Sequence, residues 1–104
     1  MGMMGFDAKV YALLKEVPSG KVTTYKEIAE ALGCRAYRAV GNALNKNRDP
    51  DTILCCKVVN ADGRLGGFAT GSEEKIRRLK KEGILVREGR VVDFEKRLFR
   101  FKKR

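Results

Sequence analysis

The sequence predicts a mostly α domain with a small β element and a helix-turn-helix pair at its centre. Three observations carry this reading. Apolar residues recur at helical spacing in three stretches between Phe6 and Lys46. Only a short link at Gly33-Cys34 separates the second stretch from the third. Beyond them the β-type signals are brief: one β-branched run, Ile53 to Val59, and one hairpin signal at Glu88-Gly89.

The elements follow in order. Phe6, Val10, Leu13, Leu14 and Val17 share one helical face, with Asp7 placed to cap the helix and Phe6 and Tyr11 placed as a hydrophobic staple. Pro18-Ser19-Gly20 ends it in a turn. Thr24-Tyr25-Lys26-Glu27 reads as a capping box, because a threonine oxygen can accept from the backbone three residues on. The helix it opens carries Ile28, Ala29 and Leu32 and stops at Gly33. A third helix is expected from about Arg35 to Lys46, burying Ala36, Ala39, Val40, Ala43 and Leu44. Arg48-Asp49-Pro50-Asp51 breaks the chain, and Ile53 to Val59 is a short buried strand closed by the turn Ala61-Asp62-Gly63. Gly66-Gly67 and Gly71 mark a loop. Ser72 then caps a helix reaching about Glu82, with Glu73–Arg77 and Glu74–Arg78 at i, i+4 spacing. The hairpin and a short basic tail complete one domain, residues 6–99, with flexible ends at 1–5 and 100–104.

Composition narrows the class. At 104 residues, 43% of them apolar, the chain supports one modest core. It carries 23 Lys+Arg against 13 Asp+Glu, a net charge of +10, which favours a polyanionic partner such as nucleic acid. The plainer reading is a heavily solvated surface, since 35% of residues are charged and both signs are interspersed. Three cysteines, two of them adjacent, do not form a disulfide framework, and the expected compartment is cytoplasmic, or the nucleoid in a prokaryote. No apolar run approaches the roughly 20 residues of a membrane span. The first five residues lack the charged flank and apolar core of a signal peptide, and Phe6 breaks the myristoylation pattern. No cofactor and no metal site is expected, because Cys34, Cys55 and Cys56 lack ligand spacing and the chain has no histidine.

The polar side of the third helix carries Arg35, Arg38, Asn42 and Asn45 at i, i+3, i+7 and i+10, with Gly41 beside them. Singly these are ordinary solvated residues; together they make a face to which nucleic acid can come close.

These residues carry a family resemblance. Val17-Pro18-Ser19-Gly20-Lys21-Val22-Thr23-Thr24-Tyr25, then Tyr37-Arg38-Ala39-Val40-Gly41, then Asn47, the cysteine-bearing strand, Gly63 to Gly67 and Lys81-Glu82-Gly83 occur in the order of the DNA-binding domain of O6-alkylguanine-DNA alkyltransferases. The resemblance runs from Phe6 to about Phe99 and implies a winged-helix-like domain of the alkyltransferase C-terminal type. It implies a monomer that binds duplex DNA containing O6-alkylguanine and turns the damaged base out of the stack. Arg38 matches the arginine that fills the gap, and Tyr25 the tyrosine that crowds the phosphate of the flipped nucleotide. Thr24, Arg35, Ala36, Tyr37, Gly41, Asn42 and Asn45 complete the expected DNA surface. Leu44, Asn47, Val58 and the loop Gly66, Gly67, Phe68, Ala69, Thr70 and Gly71 match the guanine pocket. Cys55 matches the cysteine that takes the alkyl group irreversibly, and Glu82 a glutamate that supports it.

The chemistry fits the residue types, since thiolate is a strong nucleophile for displacement at carbon but a free thiol, pKa about 8.5, needs help to ionise. In the family a Pro-Cys-His-Arg strand and the later glutamate supply that help. Here the strand reads Leu54-Cys55-Cys56-Lys57, so Cys56 stands for the histidine and Lys57 for the arginine. Adjacent strand residues point to opposite faces, which argues against direct thiol-to-thiol help, and Cys56 is only a weak relay to Glu82 because a second thiol is no better a base than the first. Lys57 either turns inward to stabilise thiolate or faces solvent; Glu82 either serves the thiol or simply ends its helix. Two functions follow from the resemblance: irreversible transfer of the alkyl group to Cys55, or binding of alkylated DNA without transfer and hand-over to another repair protein. A generic basic DNA-binding module whose thiols only pack is the third.

Overall fold

The computed structural model describes residues 5–47, 54–65 and 72–101. Helix α1 spans Phe6–Leu14, strand β1 Thr23–Thr24, helix α2 Tyr25–Ala31 and helix α3 Tyr37–Asn45. A 3-10 turn, Cys55–Lys57, leads into β2, Val58–Val59. Helix α4 is Ser72–Lys81, the hairpin is β3, Val86–Arg87, with β4, Arg90–Val91, and α5 is Phe94–Arg97. Among the described residues no helix is long and apolar enough to cross a membrane.

Two cores divide the molecule. Helices α1, α2 and α3 enclose the first through Val10, Leu13, Leu14, Ile28, Ala29, Val40, Ala43 and Leu44. The Tyr11 hydroxyl donates to the Ala43 carbonyl and ties α1 to α3. The second core is Val22, Val59, Leu65, Leu79, Ile84 and Val91. Strand β2 lies between them in parallel register with β1, Thr23 beside Val58 and Thr24 beside Val59. Its two valines feed opposite cores, as the twofold alternation of a strand requires.

Local rules account for the helix ends. The Glu27 N–H donates to Thr24 Oγ1 at 3.0 Å, so the expected cap is formed. Gly33, at φ +75°, closes α2 with the Cys34 N–H on the Ala29 carbonyl and its own N–H on Glu30, a Schellman end. Glu88 and Gly89, at φ 52° and 77°, form the hairpin turn, and two positive values in a two-residue loop match the twist of the flanking strands.

Several expectations are corrected. Gly5, not Asp7, is the N-cap of α1; Asp7 lies in the first turn and reaches Lys46 at 3.5 Å. Helix α1 stops at Leu14, and tightened bonds from Glu16 and Val17 back to Leu13 and Leu14 keep Val17 buried outside the helix. Helix α3 starts at Tyr37 because the Tyr37 N–H folds back onto the Arg35 carbonyl; Ala36 is exposed rather than buried. Arg77 turns to Glu74, at i, i+3, while Arg78 binds the same carboxylate at 2.7 Å. Hydrogen bonds from both arginines, Arg77 first, hold that carboxyl below its ordinary range. The largest correction is the expected strand: only Val58–Val59 is extended, and Cys55–Lys57 coils, with the Lys57 N–H on the Leu54 carbonyl at 3.0 Å. Ile53 and 48–52 lie outside the described residues.

The chain also remains packed beyond residue 99. Phe101 is buried in the first core and meets Phe99 edge to face at 5.2 Å. The Phe99 N–H donates to the Val22 carbonyl and the Val22 N–H to Arg97, so this segment pairs beside β1.

Candidate nucleic-acid interface and acceptor turn

The capping threonine sets the first part of the site. Thr24 is 3% exposed and its hydroxyl is committed to the cap, so it positions Tyr25 at the start of α2 instead of meeting a ligand itself. Helix α3 then presents Tyr37, Arg38, Gly41 and Asn45 beside Tyr25. With Lys26, Asn60 and Ala61 they line an open groove of about 740 Å³. Its charged lining residues, Lys26 and Arg38, are both basic. Arg38 is exposed and makes no ion pair or hydrogen bond among the described residues. An added Cβ at Gly41 would meet nothing within 4 Å, so no packing demand explains the glycine, and its missing side chain leaves the groove floor open.

The turn expected to carry the acceptor thiol is built differently. Lys57 is 1% exposed, with its ammonium 2.8 Å from Glu82 Oε1 and 2.7 Å from the Pro18 carbonyl it donates to. The same Glu82 oxygen accepts the Gly20 N–H at 3.0 Å, and Arg97 donates to the Gly20 carbonyl at 3.1 Å. Three charged side chains thus satisfy the backbone of the 17–20 turn. A buried lysine survives only when paired and bonded in this way. Cys56 is buried, at 2% exposure. Since a 3-10 turn advances about 120° per residue, the alternation expected of a strand does not govern how Cys55, Cys56 and Lys57 project.

The expected site residues therefore separate. Tyr25, Tyr37, Arg38, Gly41 and Asn45 come together in the groove. Asn42 and Ala36 are exposed nearby in sequence without lining it, and Arg35 lies in the link before α3. Leu44 and Val58 are both buried in the first core. Asn47 follows α3, half-buried. Cys55 opens the 3-10 turn; its side chain, with Gly66, Gly67, Phe68, Ala69, Thr70 and Gly71, lies outside the described residues. Lys57 points inward, but towards Glu82.

Sequence reasoning missed Lys26, which follows Tyr25 on α2, and Asn60 and Ala61, which reach the groove because β2 pairs with β1 just before α2. It also missed Lys75, fully buried, which donates to the Val58 carbonyl at 2.6 Å and to the Leu65 carbonyl. The available signal was its spacing: Lys75 stands at i−4 from buried Leu79, on the apolar side of α4.

Comparison with known proteins adds four findings. Residues 5–84 match the DNA-binding domain described for 6-O-methylguanine DNA methyltransferase. A bifunctional methyltransferase/endonuclease from Picrophilus torridus is 48% identical over 83 residues, 79% of this chain and 28% of that protein. Among solved structures, the O6-methylguanine-DNA methyltransferase of Pyrococcus kodakaraensis strain KOD1 is 41% identical, with a TM-score of 0.71 over 79% of this chain and 48% of that one. S. pombe Atl1, solved in complex with damaged DNA containing O6-carboxymethylguanine, is 28% identical with a TM-score of 0.83, covering 97% of this chain and 100% of that one. The chain spans half or less of these two methyltransferase relatives and the whole length of Atl1.

Proposed function

The chain belongs to the 6-O-methylguanine DNA methyltransferase family, and we propose that it recognises O6-alkylguanine in duplex DNA, turns the base out, and accepts the alkyl group once, slowly, on Cys55. The observation that carries this is the groove, where an unpaired exposed arginine, two tyrosines and a bare glycine converge. Turning a base out of the stack costs a few kcal/mol, least for a damaged one. Arg38 is placed to fill the gap, and Lys26 to neutralise phosphate.

In the transfer, a bond forms between Cys55 sulfur and the alkyl carbon as the carbon–O6 bond breaks. The electron pair stays on guanine, and the thiol proton ends on the restored base. Nothing regenerates the thiol, so each molecule acts once. The step is slow in this reading because histidine is absent and Glu82 is occupied by Lys57 and Gly20. That occupation also supports a second reading: binding without transfer, followed by hand-over to another repair protein. Likeness to Atl1, solved in complex with damaged DNA, supports the DNA binding that both readings share.

Intact mass after incubation with an O6-methylguanine duplex separates the two. A gain of one methyl group, absent in Cys55→Ala, is expected. Tight binding with unchanged mass would sink the transfer and leave the second reading.

A further inference from the structure

Three arginines from three chain segments stand side by side. In the hairpin, Arg87 pairs with Arg90, and Arg90 is bridged on its other side to Arg64. Bonds from the Leu65 N–H to the Gly89 carbonyl and from the Val91 N–H to the Gly63 carbonyl hold the segments together. Residues directly opposite in neighbouring strands project from the same face, so the three side chains rise in one row. The other face is the buried one, where Val91 enters the second core. All three arginines are exposed.

Like charges directly opposed across a ribbon destabilise it, so this row costs the hairpin stability for no gain in packing. Arg64 lies 3.4 Å from the Asp62 carboxylate, and Arg90 donates to the Asp62 carbonyl. Arg87 has no partner among the described residues. The groove of about 920 Å³ beside the row also carries Lys96, and Glu88, Asp93 and Glu95. Among the described residues none of these carboxylates pairs with Arg87 or Arg90.

The row's position says what it binds. Asn60 and Ala61 line the groove that holds Tyr25 and Arg38, and the Asn60 N–H donates to the Arg64 carbonyl across the same turn at 2.8 Å. One limb of the turn therefore faces that groove and the other begins the row. Neighbouring strands lie about 4.8 Å apart, so the row spans about 10 Å, more than one phosphate of a DNA strand. We infer that Arg64, Arg90 and Arg87 grip the phosphate backbone of the duplex outside the lesion groove, the guanidinium forks matching phosphate oxygens. Arg87 and Arg90 lie beyond the residues matched to the family. The inference rests on the groove taking duplex DNA and not on alkyl transfer.

The test uses undamaged and O6-methylguanine duplexes of about one and two helical turns, roughly 10 and 20 base pairs. Affinity is measured against salt for wild type, Arg87→Glu and Arg87→Ala/Arg90→Ala. Because Arg90 also holds Asp62, unchanged thermal melting qualifies each variant, and Arg87→Glu leaves that bond intact. For the longer duplex, the single variant should bind about tenfold more weakly, and the double variant should flatten the log–log salt slope by about 2. The short duplex, and the preference for damaged over undamaged DNA, should not change. Equal affinity and slope on the longer duplex would overturn the inference and leave the row to an acidic protein partner. Equal losses on short and long duplexes would also overturn it, by placing the row inside the groove. Failure of the wild type to bind any duplex would instead defeat the groove reading, and the row with it.

Discussion

Along the face of α3 the reactive side chains stand open, whereas around the 3-10 turn every described charged group is already bonded. Arg38 is exposed with no partner among the described residues, and Gly41 leaves space above the helix. Lys57, by contrast, is sealed against Glu82 and the Pro18 carbonyl, and Glu82 also holds Gly20. A surface kept free of internal bonds can change partners at little cost, while a buried ion pair cannot release a charge without exposing the other. In the proposed function recognition is thus ready-made, while Lys57 and Glu82, expected to assist the thiol, are bonded to each other and to the 17–20 turn.

Four substitutions put that contrast at risk. The largest effect is expected from Lys57→Ala, which removes the cation paired with Glu82 and the ammonium donor to the Pro18 carbonyl and should lower stability by about 3 kcal/mol in urea unfolding. A loss near the 0–1 kcal/mol of a surface pair would mean that the turn is not rigidly held. Arg38→Ala should weaken binding to an O6-methylguanine duplex by about 2 kcal/mol, roughly thirtyfold, with unfolding unchanged. Equal affinity in a titration would remove Arg38 from recognition. Gly41→Ala should act in opposite directions on the two properties. In a helix interior alanine is favoured by about 1 kcal/mol, and the new methyl meets open space, so the protein should melt later yet bind the duplex more weakly. Tighter or equal binding would show that nothing approaches the helix there.

Cys56→His carries the smallest expected change. General-base help is worth about 100-fold or more, but with Glu82 already bonded to Lys57 and Gly20 a histidine at position 56 should fall well short of that in single-turnover mass kinetics. Forcing a larger ring into a site 2% exposed should also cost about 1–3 kcal/mol. A full hundredfold acceleration would mean that Glu82 is available after all, and the contrast between the two regions would disappear.

How far the sequence could be read depended on where each residue's partners lie. Thr24 caps α2 through a bond spanning three positions, and Glu88-Gly89 needs only its own backbone preferences; both were legible. The stripe containing Arg38, Gly41 and Asn45 was legible because helical periodicity alone puts them on one side. Leu44 was legible as buried because periodicity tells which side is apolar, though not whether a cavity or a core lies behind it. The Ile53 to Val59 run has strand composition, yet the backbone coils at Cys55–Lys57, where Lys57 is drawn to a carbonyl 39 residues earlier. Phe101 looked like part of a loose basic end because a lone aromatic among charges carries no period, but it completes the first core.

The sequence by itself determined the helix order, the stops at Gly33 and Gly89, the polar stripe of α3 and the family resemblance, since all of these are written in spacings of a few residues or in motif order. Only the tertiary structure decided that Lys57 and Lys75 are buried, that Glu82 supports the fold, that Asn60 and Ala61 join the groove and that three arginines form a row. Each of those depends on groups brought together from distant segments. For a long charged side chain, the balance between desolvation and new bonds is settled only when those partners arrive.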